Sequence, residues 1–204
     1  MTALPQDQRR LTVAEYLAGE ATAEFKSEYW NGAAFAMAGS SPEHAGITAN
    51  FGGEARERLK GKSCRTWSPD LRVKSGAGLY TYPDLAILCG PPQYEQLPGQ
   101  GVKTLLNPTV LVEVLSESTE ARDRGFKFAQ YSALPSLQQY VLVHQDQTRV
   151  EVLTRQASDE WQLKIYVGLE CAVALASVEV RIPMAEIYRD IELPPPASAA
   201  TPPG

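Results

Sequence analysis

The most informative stretch of hydrophobic pattern is PTVLVEVLS at 108–116, which is apolar at odd and even positions alike. A half-buried strand alternates apolar with polar; a strand apolar on both sides is covered on both faces. The segment is therefore predicted to be a central strand. Upstream, Thr12 with Glu15 three residues later has the spacing of a capping box and opens a short helix that Gly19 ends. Asn31-Gly32 then marks a two-residue hairpin, because both positions tolerate positive φ, with strands from roughly Ser27 to Ala38. Ser41-Pro42 starts a second helix, with Ser41 at the N-cap and Pro42 in the first turn. Ile47, Phe51 and Leu59 give it an apolar face, weakened by Gly46, Gly52 and Gly53, and Gly61 ends it.

RTWSPDLRVKSG reads as one strand through about Val73, GAG at 76–78 as a turn, and YPDLAILCG as an apolar strand opened by Pro83. The Pro-, Gly- and Gln-rich stretch from Gly90 to Pro108 reads as a long loop. After the central strand, Ser118 or Thr119 caps a helix running to about Ala133 and stopped before Pro135. LQQYVLVHQDQTRVEVLTR predicts two antiparallel strands turning near Asp146, WQLKIYV another strand, and Met184 to Arg189 a short helix. The expected organisation is a flexible start at 1–10, one α/β domain at 11–191 with a mixed central sheet flanked by helices, and a disordered Pro- and Ala-rich tail at 192–204. An N-terminal hairpin and C-terminal antiparallel strands elaborate that sheet.

Composition narrows the chemistry. The three cysteines (Cys64, Cys89, Cys171) are odd in number and far apart, with no CxxC pair, so neither structural zinc nor a disulfide framework is expected. Two histidines cannot build a histidine-rich metal centre, so a bound metal would be held by oxygen, which points to Mg²⁺ or Mn²⁺. A net charge of −5 argues against strong nonspecific nucleic-acid binding, though not against a local basic face. No stretch approaches a membrane span and the N-terminus has no secretory pattern, so a cytoplasmic protein without membrane contact is expected.

Three residues stand out against this background. Glu113 interrupts the apolar strand, and a carboxylate there costs several kcal/mol, on the order of 3 or more, unless it is paired, protonated or metal-bound. A solvent-facing sheet edge or a buried salt bridge would also account for it. Asp84, between Pro83 and Leu85-Ala86-Ile87-Leu88, could be an ordinary strand-end aspartate. If it lies on the strand beside Glu113, the two carboxylates repel unless a cation sits between them, and a divalent ion resolves that repulsion. Lys127 shares a helix face with Asp123 and Tyr131; alone, the Asp123–Lys127 spacing would signify a surface ion pair.

YPD at 82–84 followed by VEV at 112–114 resembles the PD-(D/E)XK nuclease superfamily. More closely, TVAEYL, SEYWNG, AMAGSSPEHAGI, SPDLRV, YPDLAI, the long segment NPTVLVEVLSESTEARDRGFKFAQYSALPSLQQYVLV and MAEIY resemble the Uma-type family of putative restriction endonucleases of bacteria, over nearly the whole chain to about residue 190. The resemblance implies a restriction-endonuclease-like fold and Mg²⁺ at Asp84 and Glu113, with the Val114 carbonyl as a further ligand. The position two after Glu113 is Leu115, where the superfamily pattern has lysine, and Lys127 looks like the migrated replacement. The likeness also suggests supporting roles for Glu28, His44, Asp70 and Asp123, and as partners nucleic acid (DNA first) and a second copy in a homodimer.

Arg72, Lys74, Lys103, Arg122 and Arg124 are candidate phosphate contacts, each with a solvated basic surface as the plain alternative. Two other readings stay open. One is a nuclease fold without catalysis that serves as a binding or assembly module; the other is a small-molecule enzyme or binding domain, which would need a closed apolar pocket. No GxGxxG, GxxxxGK[ST] or GxSxG motif is present.

Overall fold

A computed structural model describes residues 10–37, 39–96, 103–157 and 160–194. Residues 1–9 and 195–204 lie outside them, and with them most of the expected flexible start and disordered tail. So does Ala38, the expected end of the hairpin.

The first elements are α1 (Val13–Glu20), β1 (Ser27–Trp30), β2 (Ala33–Ala36), α2 (Pro42–Arg58), β3 (Cys64–Trp67), β4 (Arg72–Lys74) and β5 (Tyr80–Thr81). β6 (Leu85–Cys89), β7 (Thr104–Leu105) and β8 (Val110–Leu115) follow. A helical segment comes next, made of α3 (Glu120–Arg122), a π-helical turn (Asp123–Lys127) and α4 (Phe128–Ser132). The chain closes with β9 (Gln139–His144), β10 (Arg149–Arg155), β11 (Trp161–Val167), β12 (Ala172–Leu175), β13 (Val180–Pro183) and α5 (Met184–Ile187).

The central sheet runs β11-β10-β9-β8-β6-β3. β8 and β9 are parallel, joined by the helical crossover, and the other neighbours are antiparallel. β8 lies inside the sheet with every side chain buried, as its two-sided apolar pattern requires. Val110, Val112 and Val114 pack with Ile47, Phe51 and Ala55 of α2. Leu111 and Leu115 pack on the opposite face with Tyr131, Leu134 and Tyr140. Alternation along the strand therefore aims Glu113 toward the helical crossover. A second sheet, β2-β1-β5-β4-β7, carries the N-terminal hairpin.

Local chemistry explains the element ends. Thr12 and Glu15 form the capping box, and Ser41 Oγ accepts the His44 backbone N–H at 3.1 Å to cap α2. Asn31 and Gly32 take φ of 47° and 89°, as the hairpin turn demands.

Several expectations are corrected. The segment 64–73 is not one strand: β3 and β4 belong to different sheets, separated by a turn in which Leu71 N donates to Ser68 O at 3.1 Å. Pro69 sits inside that turn and has no N–H to give a ladder. The loop after Gly90 contains β7, which pairs in parallel with β4. The helix after β8 has no side-chain cap: Thr119 Oγ1 is engaged with Ser116 instead. The β12–β13 hairpin had no Asn-Gly signal, since a 3-10 turn and a left-handed Glu179 close it. Cys64 and Cys89 are direct cross-strand partners, with Cα atoms 3.9 Å apart, and form a disulfide. Their 25-residue separation hid a register that only the sheet reveals.

A buried ion network pins the crossover to the far side of the sheet. Arg124 donates to both Glu151 oxygens, at 2.5 and 3.0 Å, and Arg149 Nε donates to Glu151 at 2.8 Å. Burial alone would raise the Glu151 carboxyl, but the two guanidiniums outweigh it and hold the pKa at about 2. A depressed acid stabilises the fold above its unfolded value, roughly 4.3, and that contribution is lost as pH falls toward 2. Glu151→Gln is expected to flatten the acid limb of the stability curve between about pH 4 and 2 and to lower stability at neutral pH by about 1–3 kcal/mol. Urea titrations at several pH values measure it; an unchanged acid limb would refute the assignment.

Candidate functional site

Asp84 lies one position beyond the Leu85↔Val112 pair of β6 and β8, at the strand mouth and beside Glu113 in register. Its Oδ2 accepts the Val114 backbone N–H at 2.7 Å and lies 3.1 Å from His44 Nε2. α2 supplies His44 from its first turn, where the Ser41 cap fixes the backbone. Burial works against the imidazolium, but the Asp84 carboxylate and the Val114 backbone outweigh it, and the His44 pKa is raised.

Glu113 is a buried carboxylate, its side chain 4% exposed. Its Oε1 accepts from the Tyr131 hydroxyl at 2.8 Å and from Lys127 Nζ at 3.1 Å. Lys127 Nζ also lies 3.0 Å from Asp123 Oδ1 and 3.4 Å from Glu28 Oε1. One ammonium thus serves three carboxylates. Burial opposes its charge, but Glu113, Asp123 and Glu28 more than compensate, and its pKa stands well above the ordinary lysine value. Glu113 shifts upward too, by burial first; Lys127 pulls it down, while Asp123 and Asp84 push it up. The surface ion pair that the Asp123–Lys127 spacing alone would suggest is ruled out, because both residues are buried.

Glu28 reaches this group from β1 in the second sheet. It accepts from Thr81 Oγ1 and from Arg122 Nη2, both at 2.5 Å. Burial would raise its pKa, but Lys127, Thr81 and Arg122 together lower it. The π-helical turn brings Asp123 and Lys127 inward together. An extra residue per turn rotates the face presented to the sheet, and such turns are frequent at functional sites.

Glu28, His44, Asp84, Glu113, Asp123 and Lys127 line one cleft of about 430 Å³. Asp70 is not brought there: its side chain is 79% exposed and pairs with Lys26 at 2.6 Å on a separate turn. Arg72 is also excluded as a phosphate contact, being buried with Nε on Thr104 at 2.9 Å and Nη1 on the Tyr82 hydroxyl at 3.2 Å. Lys74 is paired with Glu95 at 2.5 Å, and Arg124 is spent on Glu120 and Glu151. Lys103 lies over the Tyr94 ring. Arg122 lines the cleft, its guanidinium flanked by the rings of Phe35 and Phe126. The Tyr131 and Thr81 hydroxyls were not singled out from sequence; the helical spacing of Tyr131 from Lys127 carried the only signal.

The donor set suits a hard divalent cation. Among the described residues neither Glu113 Oε2 nor Asp84 Oδ1 accepts a hydrogen bond, so each acid keeps an oxygen uncommitted. Burial is the first cause of the raised Glu113 pKa, and the neighbouring Asp123 and Asp84 carboxylates add to it against the pull of Lys127. No three His, Cys, Asp or Glu side chains among the described residues are grouped to hold an ion by themselves. A site here would use two carboxylates completed by a backbone carbonyl and water, as Mg²⁺ sites commonly do.

Known proteins show related chains. The "Uncharacterized protein slr1290" of Synechocystis sp. is 30% identical over 183 residues, covering 89% of this chain and 93% of that protein. The "Uncharacterized protein sll1609" of the same organism is 29% identical over 171 residues, covering 83% and 95%. A crystal structure described as "a putative nuclease belonging to DUF820" from Anabaena variabilis superposes with a TM-score of 0.69 at 17% identity, covering 87% of this chain and 97% of that one. That likeness shows a shared fold, the restriction-endonuclease-like α/β arrangement expected from the sequence. Among the described residues no helix is long and apolar enough to cross a membrane. The Uma2 family model, described as "Putative restriction endonuclease", matches residues 13–185, and the chain belongs to that family.

Proposed function

We propose that this protein is a divalent-metal-dependent endonuclease that hydrolyses phosphodiester bonds in nucleic acid, DNA first. The observation that carries the reading is the pair of uncommitted carboxylate oxygens, on Asp84 and Glu113, facing one cleft beside a buried ammonium. Asp84 and Glu113 would hold Mg²⁺ or Mn²⁺, with the Val114 carbonyl as a third ligand. The ion, when bound, supplies Lewis acidity and lowers the pKa of its water. The remaining work belongs to the chain. His44 and the Val114 N–H fix the Asp84 carboxylate, and Tyr131 fixes that of Glu113. Lys127 keeps its proton, offsets the clustered negative charge and is placed to steady charge developing on a phosphate. Arg122, held between two rings, is placed to contact a neighbouring phosphate. Cutting both strands of a duplex would take two such centres, which a symmetric homodimer would supply.

The test is cleavage of supercoiled plasmid and of end-labelled oligonucleotides in millimolar Mg²⁺ or Mn²⁺, with chelator as control. Nicking or linearisation that requires the metal is expected. No cleavage of any DNA or RNA substrate by folded protein would overturn the catalytic reading. The alternative of a nuclease fold acting as a binding or assembly module is favoured by one observation: Lys127 is already shared by three acids. It predicts no calorimetric heat at millimolar metal together with retained nucleic-acid binding.

A further inference from the structure

A second cavity, of about 770 Å³, adjoins the acid cleft and shares His44, Asp84 and Tyr82 with it. We propose that it receives an unpaired nucleotide of the polynucleotide whose phosphate lies at Asp84 and Glu113, so that the protein prefers DNA with a single-stranded or extrahelical base. The proposal rests on the nuclease reading and adds a substrate class to it.

The argument begins with the glycines of α2. Glycine in a helix interior costs stability relative to alanine, so each one needs a reason. Gly46 has one, since a Cβ there would lie 2.6 Å from Ile191 Cδ1. Gly52 has one, with Leu85 Cδ1 at 3.3 Å. Gly53 has none in the packing: a Cβ would meet nothing within 4 Å. Gly53 lines the second cavity, and its missing side chain keeps that cavity open.

The walls suit a base. Phe25, 73% exposed, stands at the cavity with Trp67 and Tyr82. Aromatic side chains hold unpaired bases by stacking, which tolerates any sequence. Three polar atoms among the lining residues, His44 Nδ1, Thr48 Oγ1 and Trp67 Nε1, are buried with no hydrogen-bond partner among the described residues. A buried polar atom without a partner calls for an explanation, and the edge of a base or a sugar hydroxyl would provide one. Arg56, which lines the cavity three residues after Gly53 on α2, adds a cation suited to the next phosphate. A paired base, stacked inside a duplex, could not enter.

The experiment reads binding of the full chain in chelator, where no cleavage occurs. The probes are a fluorescein-labelled DNA duplex, the same duplex with one extra unpaired nucleotide, and the corresponding single strand. Anisotropy is expected to show at least about tenfold tighter binding of the bulged duplex and the single strand than of the paired duplex. Tryptophan emission should fall on binding the bulged probe, and that fall should shrink in Trp67→Phe. Gly53→Leu puts a side chain into the cavity from a position where a Cβ meets nothing within 4 Å; it should fold with an unchanged or higher Tm and lose the preference. Equal affinity of wild type for paired and bulged DNA would overturn the proposal, as would a preference that survives Gly53→Leu. A preference seen without any metal-supported cleavage would uphold the pocket and sink the nuclease reading alone. Cleavage without a preference would do the reverse.

Discussion

Asp84→Asn and Glu113→Gln are each expected to reduce metal-supported cleavage by at least about a thousand-fold while leaving the fold intact. Each substitution keeps the shape of the side chain and removes the charge that would hold a divalent ion. At position 113 the amide can still meet the Tyr131 hydroxyl, and Lys127 retains Asp123 and Glu28. Loss of Glu113 charge should not harm stability. Its pKa is raised by burial and by Asp123 and Asp84, so ionised Glu113 is a group the fold pays to keep. A raised acid weakens the native state as pH rises through its folded value, and Glu113→Gln removes that penalty. The variant should therefore melt no lower than wild type at neutral pH. Asp84→Asn should behave similarly, because an amide oxygen can still accept the Val114 N–H. Calorimetry with Mn²⁺ supplies the second readout: heat of binding in wild type, none in either variant. Undiminished cleavage by either, after removal of contaminating nuclease, would end the assignment of these acids as metal ligands.

The residues proposed to carry this chemistry stand out in the sequence because each breaks a local rule. A glutamate inside Val110–Leu115 breaks the apolar run of the strand, and the structure gives it the buried salt bridge, to Lys127, that was one of the plain explanations for it; the aspartate at the mouth of the next strand draws notice only in its company. Lys127 was visible by helical spacing to Asp123 and Tyr131, but its burial was not. Its three-way contact depends on a π-helical turn and on β1 of the other sheet, neither of which has a periodic signature. Asp70 misled for the opposite reason: SPDLRV matched as a motif, yet its acid sits on a turn that faces solvent. Arg72 likewise looked like a surface cation because three-residue strands carry too little pattern to show that both faces are covered. The Cys64–Cys89 link and the β12–β13 hairpin depend on register and on one left-handed residue, information that exists only once strands have paired.

Lys127→Met is expected to cost about 3–5 kcal/mol of stability at neutral pH, which corresponds to a fall in Tm of roughly 10 °C for a chain of this size. The ammonium lies within 3.4 Å of Glu28, Glu113 and Asp123, and methionine fills much of its volume without its charge. Among the described residues, three buried acids would then face one another with Arg122, on Glu28, and the more distant His44 imidazolium, which feels Asp123, as the remaining counter-charges. Their folded pKa values should rise well above the unfolded value of roughly 4.3. Such a rise leaves stability intact below that unfolded value and removes it as pH climbs through the folded ones. The deficit relative to wild type should therefore be small near pH 4 and largest at neutral pH, the reverse of ordinary acid denaturation. A divalent cation at Asp84 and Glu113 would replace part of the missing charge. Mn²⁺ should raise the Tm of Lys127→Met by more than it raises that of wild type, and adding Asp84→Asn should erase the gain. Cleavage should stay low even in the metal-rescued protein, because the ion restores charge balance but not the positioned ammonium. A variant that melts with wild type at neutral pH would show that Lys127 is not the counter-charge of this cluster, and the electrostatic case for a cation site would fall with it.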